Sequence, residues 1–589
     1  MPLASAAAAA LGGWFPFAWA LPLASVAAVG WIVLRHPAAA VLAVALTASG
    51  LADRSLDGLQ GKGEGQVAAE IELLTDPAPS FGGLRFEARL GGRRVEARAG
   101  GAVAEPLRDR LAGEVVSVRG FVSPLLPDRA WRVARHLSGR LSIHAVDGWR
   151  PGHPPARLAN GLRRTLEGGA ASLPPRQRAL FTGLVVGDDR AQPPDLADAF
   201  LGAGLTHLLA VSGQNVAFVL TLASPGLRRL RIWPRWLAST ALITLFGVVT
   251  RFEPSVLRAS VMAALATGLV SAGAPAHRLR VLALAVTGLL LVDPLLVRSV
   301  GFQLSVAACL AIVTLAARVA AAVPGPRPLR EAVGVTVAAQ LGVAPVLLHT
   351  FGPIPLASLP ANLLAVPVAG WVMVWGLTAG LVAGVAGPTA AALLHLPTRL
   401  ALSWLEVVAG GAARAGLGEL GWAHGLVAAT GMALVIVGGR GRRAGWLLVA
   451  AATVAATLSA QAPPPLRTPL GPGVVRWHAG TTDVVVLGDG GRTSPGPART
   501  LEVLRRARVG AIAVLVVADG SVEAATVAAI RAAHPTGRTV VAAPAGPDHP
   551  GGVAVHRSTS FVAGDLQVRV TVAAERLVVD AARLPDRGG

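Results

Sequence analysis

Polar side chains inside an otherwise apolar stretch are the residues of this sequence with the clearest capacity for chemistry. The stretch 202–216 is rich in leucine, alanine and valine, and besides Thr206 it carries four such side chains: His207, Ser212, Gln214 and Asn215. An unsatisfied amide or charge is costly in hydrocarbon, so these groups face either a water-filled cavity or one another. Their clustering around Gly213 favours a broken helix beside a pathway, and hydrogen bonds between neighbouring helices are the alternative.

Further polar residues recur along the apolar part of the chain: Asp188, Asp189, Arg258, Gln303, Ser305 and Asn362. Together with the first four they form the predicted lining of a pathway. His207 either lines a pore or caps polar groups between helices. For Gln303 and Asn362, a purely structural role is as good an explanation as a role in the pathway. For Arg258 we expect an ion pair with one of three carboxylates: Asp188, Asp189 or Glu253.

The composition places much of the chain in a lipid bilayer. Of its 589 residues, 53% are hydrophobic and 15% are charged, and the mean hydropathy is +0.57. Soluble domains carry about 25% charged residues, so lipid must be the solvent for much of this chain. Several nearly uncharged stretches of about 17–20 residues are long enough to cross a hydrocarbon core.

Arginine supplies nearly all of the positive charge, because the net charge is +20 and Lys62 is the only lysine. Guanidinium groups pair well with phosphates, which suits a polyanionic partner. A GC-rich genome and the cationic loops that set membrane topology give the alternative explanation. The single cysteine, Cys309, excludes an intrachain disulfide and a cysteine metal cluster.

The fold class predicted is a polytopic α-helical membrane protein with an inserted small β-barrel and a C-terminal α/β domain. Its zones are 1–52 (transmembrane segments), 53–150 (β domain), 151–175 (surface linker), 176–462 (main membrane block) and 463–589 (soluble domain). Alternation on both sides of Gly91-Gly92 predicts a hairpin, and about five short strands fit a barrel such as the oligonucleotide-binding (OB) fold. Candidate spans of the block are 201–224, 236–250, 255–273, 281–297, 301–323, 332–350, 355–383, 421–438 and 444–461, with 385–418 amphipathic.

Arginine clusters in short loops predict the orientation. They lie at 228–235, 277–280 and 440–443, and placing them in the cytoplasm satisfies the positive-inside bias. The β domain and the C-terminal domain are then extracytoplasmic. Arg318, Arg327 and Arg330 fit this arrangement only if some middle segments are re-entrant.

Five blocks of the sequence, in order, resemble motifs of the ComEC competence family. The most specific is His207-Leu208-Leu209-Ala210-Val211-Ser212-Gly213, which is similar to the family's His-Leu-(Leu/Thr)-Ala-(Val/Ile)-Ser-Gly block. The other four lie at 181–190, 254–259, 293–305 and 351–367. The resemblance implies a DNA-internalisation channel of the bacterial cytoplasmic membrane, with an OB-like insert and a metallo-β-lactamase-like tail.

Departures from the family limit the chemistry. Many members carry a second histidine at the position of Asn215, so a His–His metal site or proton relay is not expected. The tail reads Ala518-Asp519-Gly520-Ser521 where the metallo-β-lactamase pattern needs a His-x-His-x-Asp-His cluster. We therefore expect a degenerate tail with no metal, no cofactor, no catalytic residue and no nuclease activity of that type.

The functional hypothesis is a channel for uptake of single-stranded DNA during natural transformation. The strand would come from an extracytoplasmic DNA receptor. Lys62 does not lie in a phosphate-binding loop, so a cytosolic ATP-driven motor would pull the strand. The number of chains that form the pore is not fixed by the sequence, and a homo-oligomer in the lipid bilayer is one alternative.

Four arginines of the β domain are predicted to follow a nucleic-acid backbone, with a solvated surface as an equal alternative: Arg85, Arg89, Arg94 and Arg98. Two other classes of function compete with the channel. One is a secondary transporter of a small anionic or lipid-linked substrate. The other is a membrane-bound hydrolase with His207 as base and Ser212 as nucleophile.

Overall fold

A computed structural model describes residues 1–59, 64–80, 83–124, 130–209, 213–437, 441–461, 466–480, 482–488, 496–507, 509–519, 522–542, 552–573 and 576–584. The chain forms two compact units, Met1–Gln461 and Ala462–Gly589. The first unit contains the β domain and the membrane block, and the second is the C-terminal domain.

Helices dominate the first unit, because a backbone in hydrocarbon has no hydrogen-bond partners other than its own groups. The chain opens with α1 (Pro2–Trp14), α2 (Ala20–Leu34) and α3 (Pro37–Asp57). After the β domain come α5 (Pro154–Gly169), α6 (Pro175–Val186), α7 (Pro194–Gly202), α8 (Gly213–Leu227), α9 (Ile232–Val249), α10 (Pro254–Ser271), α11 (Arg278–Val292), α12 (Val300–Ala322), α13 (Arg327–Thr350), α14 (Ser358–Ala386), α15 (Pro388–Leu394), α16 (Leu396–Arg414), α17 (Trp422–Val437) and α18 (Gly441–Gln461).

Within the described ranges, six helices are long and apolar enough to cross a membrane: α3, α9, α10, α12, α13 and α14. The chain is therefore an α-helical membrane protein, as predicted. Two short strands, β7 (Ile354–Pro355) and β8 (Glu419–Leu420), pair between the helices.

The β domain is built from β1 (Gly65–Leu73), β2 (Ala78–Ser80), β3 (Gly83–Leu90), β4 (Arg93–Gly100), β5 (Val115–Pro124) and β6 (Leu137–Arg150), with α4 (Ala130–Ala134) before β6. The strand order is β1-β5-β6-β4-β3-β2, and β1 also pairs with β3. This extra pairing joins Glu72 to Arg89 and Leu73 to Ala88, so the five long strands close into a small barrel. Alternate residues fill its interior, among them Ile71, Phe86, Val95, Val118 and Leu141.

The predicted span 201–224 is interrupted. α7 ends at Gly202, a 3-10 helix covers Thr206–Leu208, and α8 is described over Gly213–Leu227. Gly204 has a φ of +67°, and a Cβ at this position would lie 2.5 Å from the Cβ of Ser358. Glycine therefore supplies both the left-handed backbone and the close approach that this break requires.

The prediction of a surface linker at 151–175 is wrong, because most of the segment is helix α5. Prolines 154 and 155 start this helix, since the fixed φ of proline suits the first turn. Glycines let α5 pack closely along α14: a Cβ at Gly384 would lie 2.1 Å from the carbonyl oxygen of Thr165. The proline and arginine content that indicated a loop belongs to an ordered helix.

The C-terminal unit is layered. A mixed sheet has the strand order β14-β13-β12-β11-β10-β9, and a second antiparallel sheet has the order β15-β16-β17. One apolar core lies between the two sheets, and another lies between the mixed sheet and the two helices. The elements are β9 (Arg467–Gly471), β10 (Val474–Ala479), β11 (Thr482–Leu487), α19 (Pro497–Arg506), β12 (Ile512–Val517), α20 (Ala524–Ala533), β13 (Thr536–Ala542), β14 (Val553–Val555), β15 (Thr559–Ala563), β16 (Leu566–Ala573) and β17 (Arg576–Arg583).

The close packing of α5 on α14 predicts that Gly384→Ala lowers the melting temperature of the purified protein. The added methyl group meets backbone, and overpacking of this kind costs about 1–3 kcal/mol. Gly288→Ala in α11 is the matched control, because a Cβ there meets nothing within 4 Å. Thermal unfolding in detergent is the measurement, and equal melting temperatures for the two variants would contradict the close approach.

Candidate functional site

A buried ion-pair network joins the barrel to the membrane block. Asp76 lies in the loop between β1 and β2 and accepts hydrogen bonds at 2.9 Å from both Arg163 of α5 and Arg251 of the α9–α10 loop. Arg251 also donates to the Asn160 side chain at 3.0 Å. The Arg163 side chain is only 1% exposed, so its charge must be balanced from within the protein.

Arg163 also holds the ends of two helices. Its Nη1 donates at 2.9 Å to the carbonyl oxygens of Val186 and Val249, which are the last residues of α6 and α9. Carbonyl groups at a helix C-terminus lack partners within the helix and carry partial negative charge. A single guanidinium therefore ties the barrel loop to the ends of α6 and α9.

Asp188, one of the residues predicted to line the pathway, lies among arginines. It accepts two hydrogen bonds from the Arg190 side chain, at 2.8 and 2.6 Å, and lies 3.6 Å from Arg163. Burial alone raises the pKa of Asp188, but its hydrogen bonds and ion pairs with these arginines hold that pKa below its ordinary value. The same holds for the pKa of Asp76, where Arg163 and Arg251 outweigh burial.

Two carboxylates at this junction, Asp189 and Glu253, are partly exposed to solvent but lie among protein groups that desolvate them. Burial and the charge of Asp188 raise the pKa of Asp189. Burial also raises the pKa of Glu253, where Glu87 and Asp189 add to the effect and Arg135 opposes it. Since Glu87 is on strand β3 and forms a 2.6 Å ion pair with Arg135, this face of the barrel adjoins the start of α10.

The four predicted arginines of the β domain share one outer face of the barrel, which we call the arginine face. The β3–β4 register places Arg85 opposite Arg98 and Arg89 opposite Arg94, and all four are exposed. Glu72 pairs with Arg89, and Glu96 pairs with Arg98. The exposed ring of Phe121 lies in the same row, because Ser142 is the register partner of both Phe121 and Arg98.

Three helices meet at Arg258 within the membrane block. From α10, its Nε donates to the Ser305 hydroxyl of α12 at 2.7 Å, and its Nη1 contacts the sulfur of Met262 at 2.8 Å. A Cβ on Gly213, the first residue of α8, would lie 2.9 Å from its Nη2. The expected ion pair of Arg258 is not found: across the part of the chain that the structure describes, no carboxylate lies within 4.0 Å of its guanidinium.

The remaining predicted residues are not gathered around Arg258. Asn362 donates to the carbonyl oxygen of Ser358 at 2.8 Å, and Gln303 donates to that of Val297 at 2.7 Å, so both have structural hydrogen bonds. His207 and Gln214 are exposed, and Asn215 is buried. Ser212 lies outside the described residues. In the described ranges, no group of three or more His, Cys, Asp or Glu residues is arranged to hold a metal ion.

The comparison with known families decides what this arrangement belongs to. The Competence protein family matches residues 184–443, from the end of α6 into α18, and this range includes the broken helix and Arg258. Residues 184–443 form a ComEC-type competence domain.

Two relatives share part of the competence domain. ComE operon protein 3 of Bacillus subtilis (strain 168) is 31% identical over 246 residues, which are 40% of this chain and 29% of the relative. The uncharacterized protein YcaI of Escherichia coli (strain K12) is 28% identical over 227 residues, 36% of this chain and 30% of the relative. The matched segment thus spans less than a third of either relative. No solved structure matches the chain significantly.

Sequence reasoning missed the residues that hold the competence domain to the barrel, above all Asp76 and Arg163. A signal for Arg163 is present. Together with Ala159 and Leu166 it forms a stripe at the i, i+4 and i+7 positions of α5, where an apolar residue is expected. An arginine within an apolar stripe needs a buried partner. No comparable pattern marks Asp76, which lies in a loop.

The buried network predicts that Asp76→Ala destabilises the protein strongly. It leaves Arg163 uncompensated, and breaking a buried pair from one side costs about 3–5 kcal/mol. The matched control is Glu70→Ala, which removes an exposed, solvent-screened ion pair with Arg150 on the same barrel and should change the stability little. Chemical denaturation followed by tryptophan fluorescence compares the two, and equal losses would contradict the role of Asp76.

The lowered pKa of Asp76 also predicts a pH dependence. A carboxyl group whose pKa falls on folding contributes stability above its unfolded pKa of about 3.9, and this contribution disappears as the pH falls through the lower folded value. The difference in melting temperature between the wild type and Asp76→Asn should therefore be constant at neutral pH and shrink only below about pH 4. A difference that grew on acidification would have the wrong sign.

Proposed function

We propose that the chain is a conduit for single-stranded DNA across the bacterial cytoplasmic membrane in natural transformation. The observation that carries the proposal is the position of the arginine face, whose Glu87–Arg135 pair adjoins Glu253 at the start of α10. A strand bound on the barrel would therefore lie beside the helix that carries Arg258. The similarity to the competence family and to ComE operon protein 3 supports DNA as the cargo.

We assign the barrel to the OB type and give it the role of guiding the strand. Its five long strands close into a barrel, and OB folds bind oligonucleotides on the face of their second and third strands. Here the second and third long strands are β3 and β4, which form the arginine face. Arginines that follow the backbone and an aromatic ring for base stacking, here Phe121, are the usual components of a single-strand site.

The orientation of the helices supports an extracytoplasmic barrel. The barrel contacts the end of α9 through Arg163 and the end of α11 through His136, which lies 3.0 Å from Asp293. The arginine-rich loops 228–235 and 277–280 lie at the opposite ends of these helices, so the positive-inside bias places them in the cytoplasm. Arg318 and Arg327 lie at the far end of α12 and the start of α13, which fits the same side without re-entrant segments.

The mechanism is passive guidance. An extracytoplasmic receptor delivers the strand to the arginine face, the competence domain passes it through the bilayer, and a cytosolic ATP-driven motor pulls it. The C-terminal unit is proposed as a degenerate metallo-β-lactamase-like domain without hydrolase activity. The pore can be formed by one chain or by several copies of it. Phosphate contacts along such a path must be weak and repeated, or the strand would not leave.

The double variant Arg85→Gln/Arg94→Gln is expected to weaken single-strand binding by the full-length protein in nanodiscs. Because each lost phosphate contact lowers the salt slope of log K by about 0.7, the slope should fall by about 1 to 1.5. Arg150→Gln is the matched control, since Glu70 already neutralises this exposed arginine on the same barrel. Fluorescence anisotropy across a salt series measures both.

The uptake function itself is tested in a competent host that lacks this gene and is complemented with the wild type or either variant. Surface-bound and nuclease-protected labelled DNA are scored separately. We expect protected label to require the gene and to fall in the Arg85/Arg94 variant while the Arg150→Gln control retains it. Unchanged protected label without the gene would overturn the conduit and leave a carrier of small anions as the candidate.

A further inference from the structure

The turn between α8 and α9 carries a dense positive charge without counter-charge. We call its residues 228–235 the basic turn. It holds four arginines: Arg228, Arg229, Arg231 and Arg235. The first three are exposed and Arg235 is half-buried. Across the residues that the structure describes, no ion pair, side-chain hydrogen bond or ring contact involves any of the four guanidinium groups.

The sequence keeps carboxylates away from this end of the helices. Between residues 204 and 330 it holds only Glu253 and Asp293, which lie beyond the opposite ends of α9 and α11. Arg278 and Arg280 begin α11 at the same end as the basic turn, and both are exposed. The charge that balances this end therefore comes from solvent ions or from a bound anionic partner.

Apolar side chains alternate with these arginines. Leu230 is 41% exposed, Ile232 is 51% exposed and Trp233 is 61% exposed. Neighbouring apolar groups left open in this way mark a surface that contacts a partner or a membrane. Arginine beside tryptophan and aliphatic side chains is the composition of a segment that lies between hydrocarbon and water.

Two tryptophans fix the depth of the basic turn in the bilayer. Trp236 Nε1 donates at 3.1 Å to the carbonyl oxygen of Ala264 in α10, and the rings of Trp233 and Trp236 meet edge to face with centroids 6.2 Å apart. Trp233 is the second residue of α9, and both α9 and α10 are long and apolar enough to cross a membrane. Because tryptophan at the end of a span lies at headgroup level, the arginines beside it lie at the level of the lipid phosphates.

We propose that the basic turn binds the headgroup of an anionic phospholipid. Guanidinium groups of the turn bind the phosphodiester, and Trp233 packs on the glycerol backbone and the upper acyl chain. Basic sites at the ends of membrane helices bind anionic headgroups through this combination of charge and apolar contact. The inference goes beyond the proposed DNA conduit and needs only that α9 crosses a bilayer.

A lipid accounts for the apolar side chains as well as for the charge. A nucleic-acid strand bound in water would leave Leu230 and Ile232 exposed, whereas acyl chains cover them. The positive-inside bias explains the sign of the charge, but it requires neither the tryptophan nor the aliphatic side chains between the arginines. Retention of one class of lipid by the folded protein distinguishes a binding site from a topological signal.

The experiment uses the full-length protein in detergent with phosphatidylglycerol and phosphatidylcholine of identical acyl chains as competing probes. Native mass spectrometry counts the lipids that remain bound. We expect the wild type to retain phosphatidylglycerol in preference, and Arg228→Gln/Arg229→Gln/Arg231→Gln to lower that preference about tenfold or more, since each arginine near an anionic surface contributes about fivefold. Lysine at the same three positions keeps the charge and should keep most of the preference.

The matched control removes three exposed arginines from the C-terminal unit, in the variant Arg557→Gln/Arg569→Gln/Arg583→Gln. It lowers the net charge equally and should keep the wild-type preference. Trp233→Phe gives a second measurement that removes no charge. The difference in fluorescence between the wild type and Trp233→Phe should be quenched more by brominated phosphatidylglycerol than by brominated phosphatidylcholine. Melting temperatures of all variants separate loss of the site from loss of folding.

Three results would overturn the lipid site. One is equal retention of the two lipids by the wild type, and another is a preference that the glutamine variant shares or that the control also loses. The third is displacement of phosphatidylglycerol by an equal concentration of oligothymidylate, which would assign the basic turn to nucleic acid. The DNA-uptake experiment does not depend on any of these results, so the two proposals fail separately.

Discussion

The arrangement of the first unit depends on the burial of one positive charge, that of Arg163. A guanidinium with 1% exposure is stable only where anionic and carbonyl oxygens surround it on several sides. Those oxygens come from Asp76 of the barrel, Asp188, and the last residues of α6 and α9. The barrel, α5 and the competence domain must therefore keep their relative positions. Any displacement among them would expose the Arg163 guanidinium to solvent or leave it buried without an anionic partner.

Arg163 and Arg258 are two buried arginines with different surroundings. Both are buried and both contact residues from several helices. Carboxylates neutralise Arg163, so it has no remaining capacity for a ligand. Arg258 contacts the hydroxyl of Ser305 and the sulfur of Met262, and the thiol of Cys309 is its other side-chain partner. The two side chains therefore differ in their hydrogen-bond and ion-pair partners, since burial is common to both.

Local patterns in the sequence predicted the membrane helices and the strand hairpin, because apolar length and alternation act over a few residues. They did not predict the junction. Asp76 and Arg163 are 87 residues apart, and Arg251 is 175 residues from Asp76, so only the folded chain brings them together. The same limit applies to Arg258, for which a carboxylate partner was the reasonable expectation and Ser305 the observed one. The proline and arginine content of residues 151–175 indicated a linker. Composition does not show that the prolines begin helix α5 or that one of its arginines is buried.

The contact between Gly213 and Arg258 has a consequence for the energetics of the cell. A path wide enough for a nucleotide would, if permanently open, let protons and small ions flow and discharge the membrane. Gly213 lets the guanidinium approach closely, because a Cβ at this position would lie 2.9 Å from Nη2 of Arg258. In a conduit of the kind proposed, packing of this closeness would keep protons and small ions from crossing between passages of a strand.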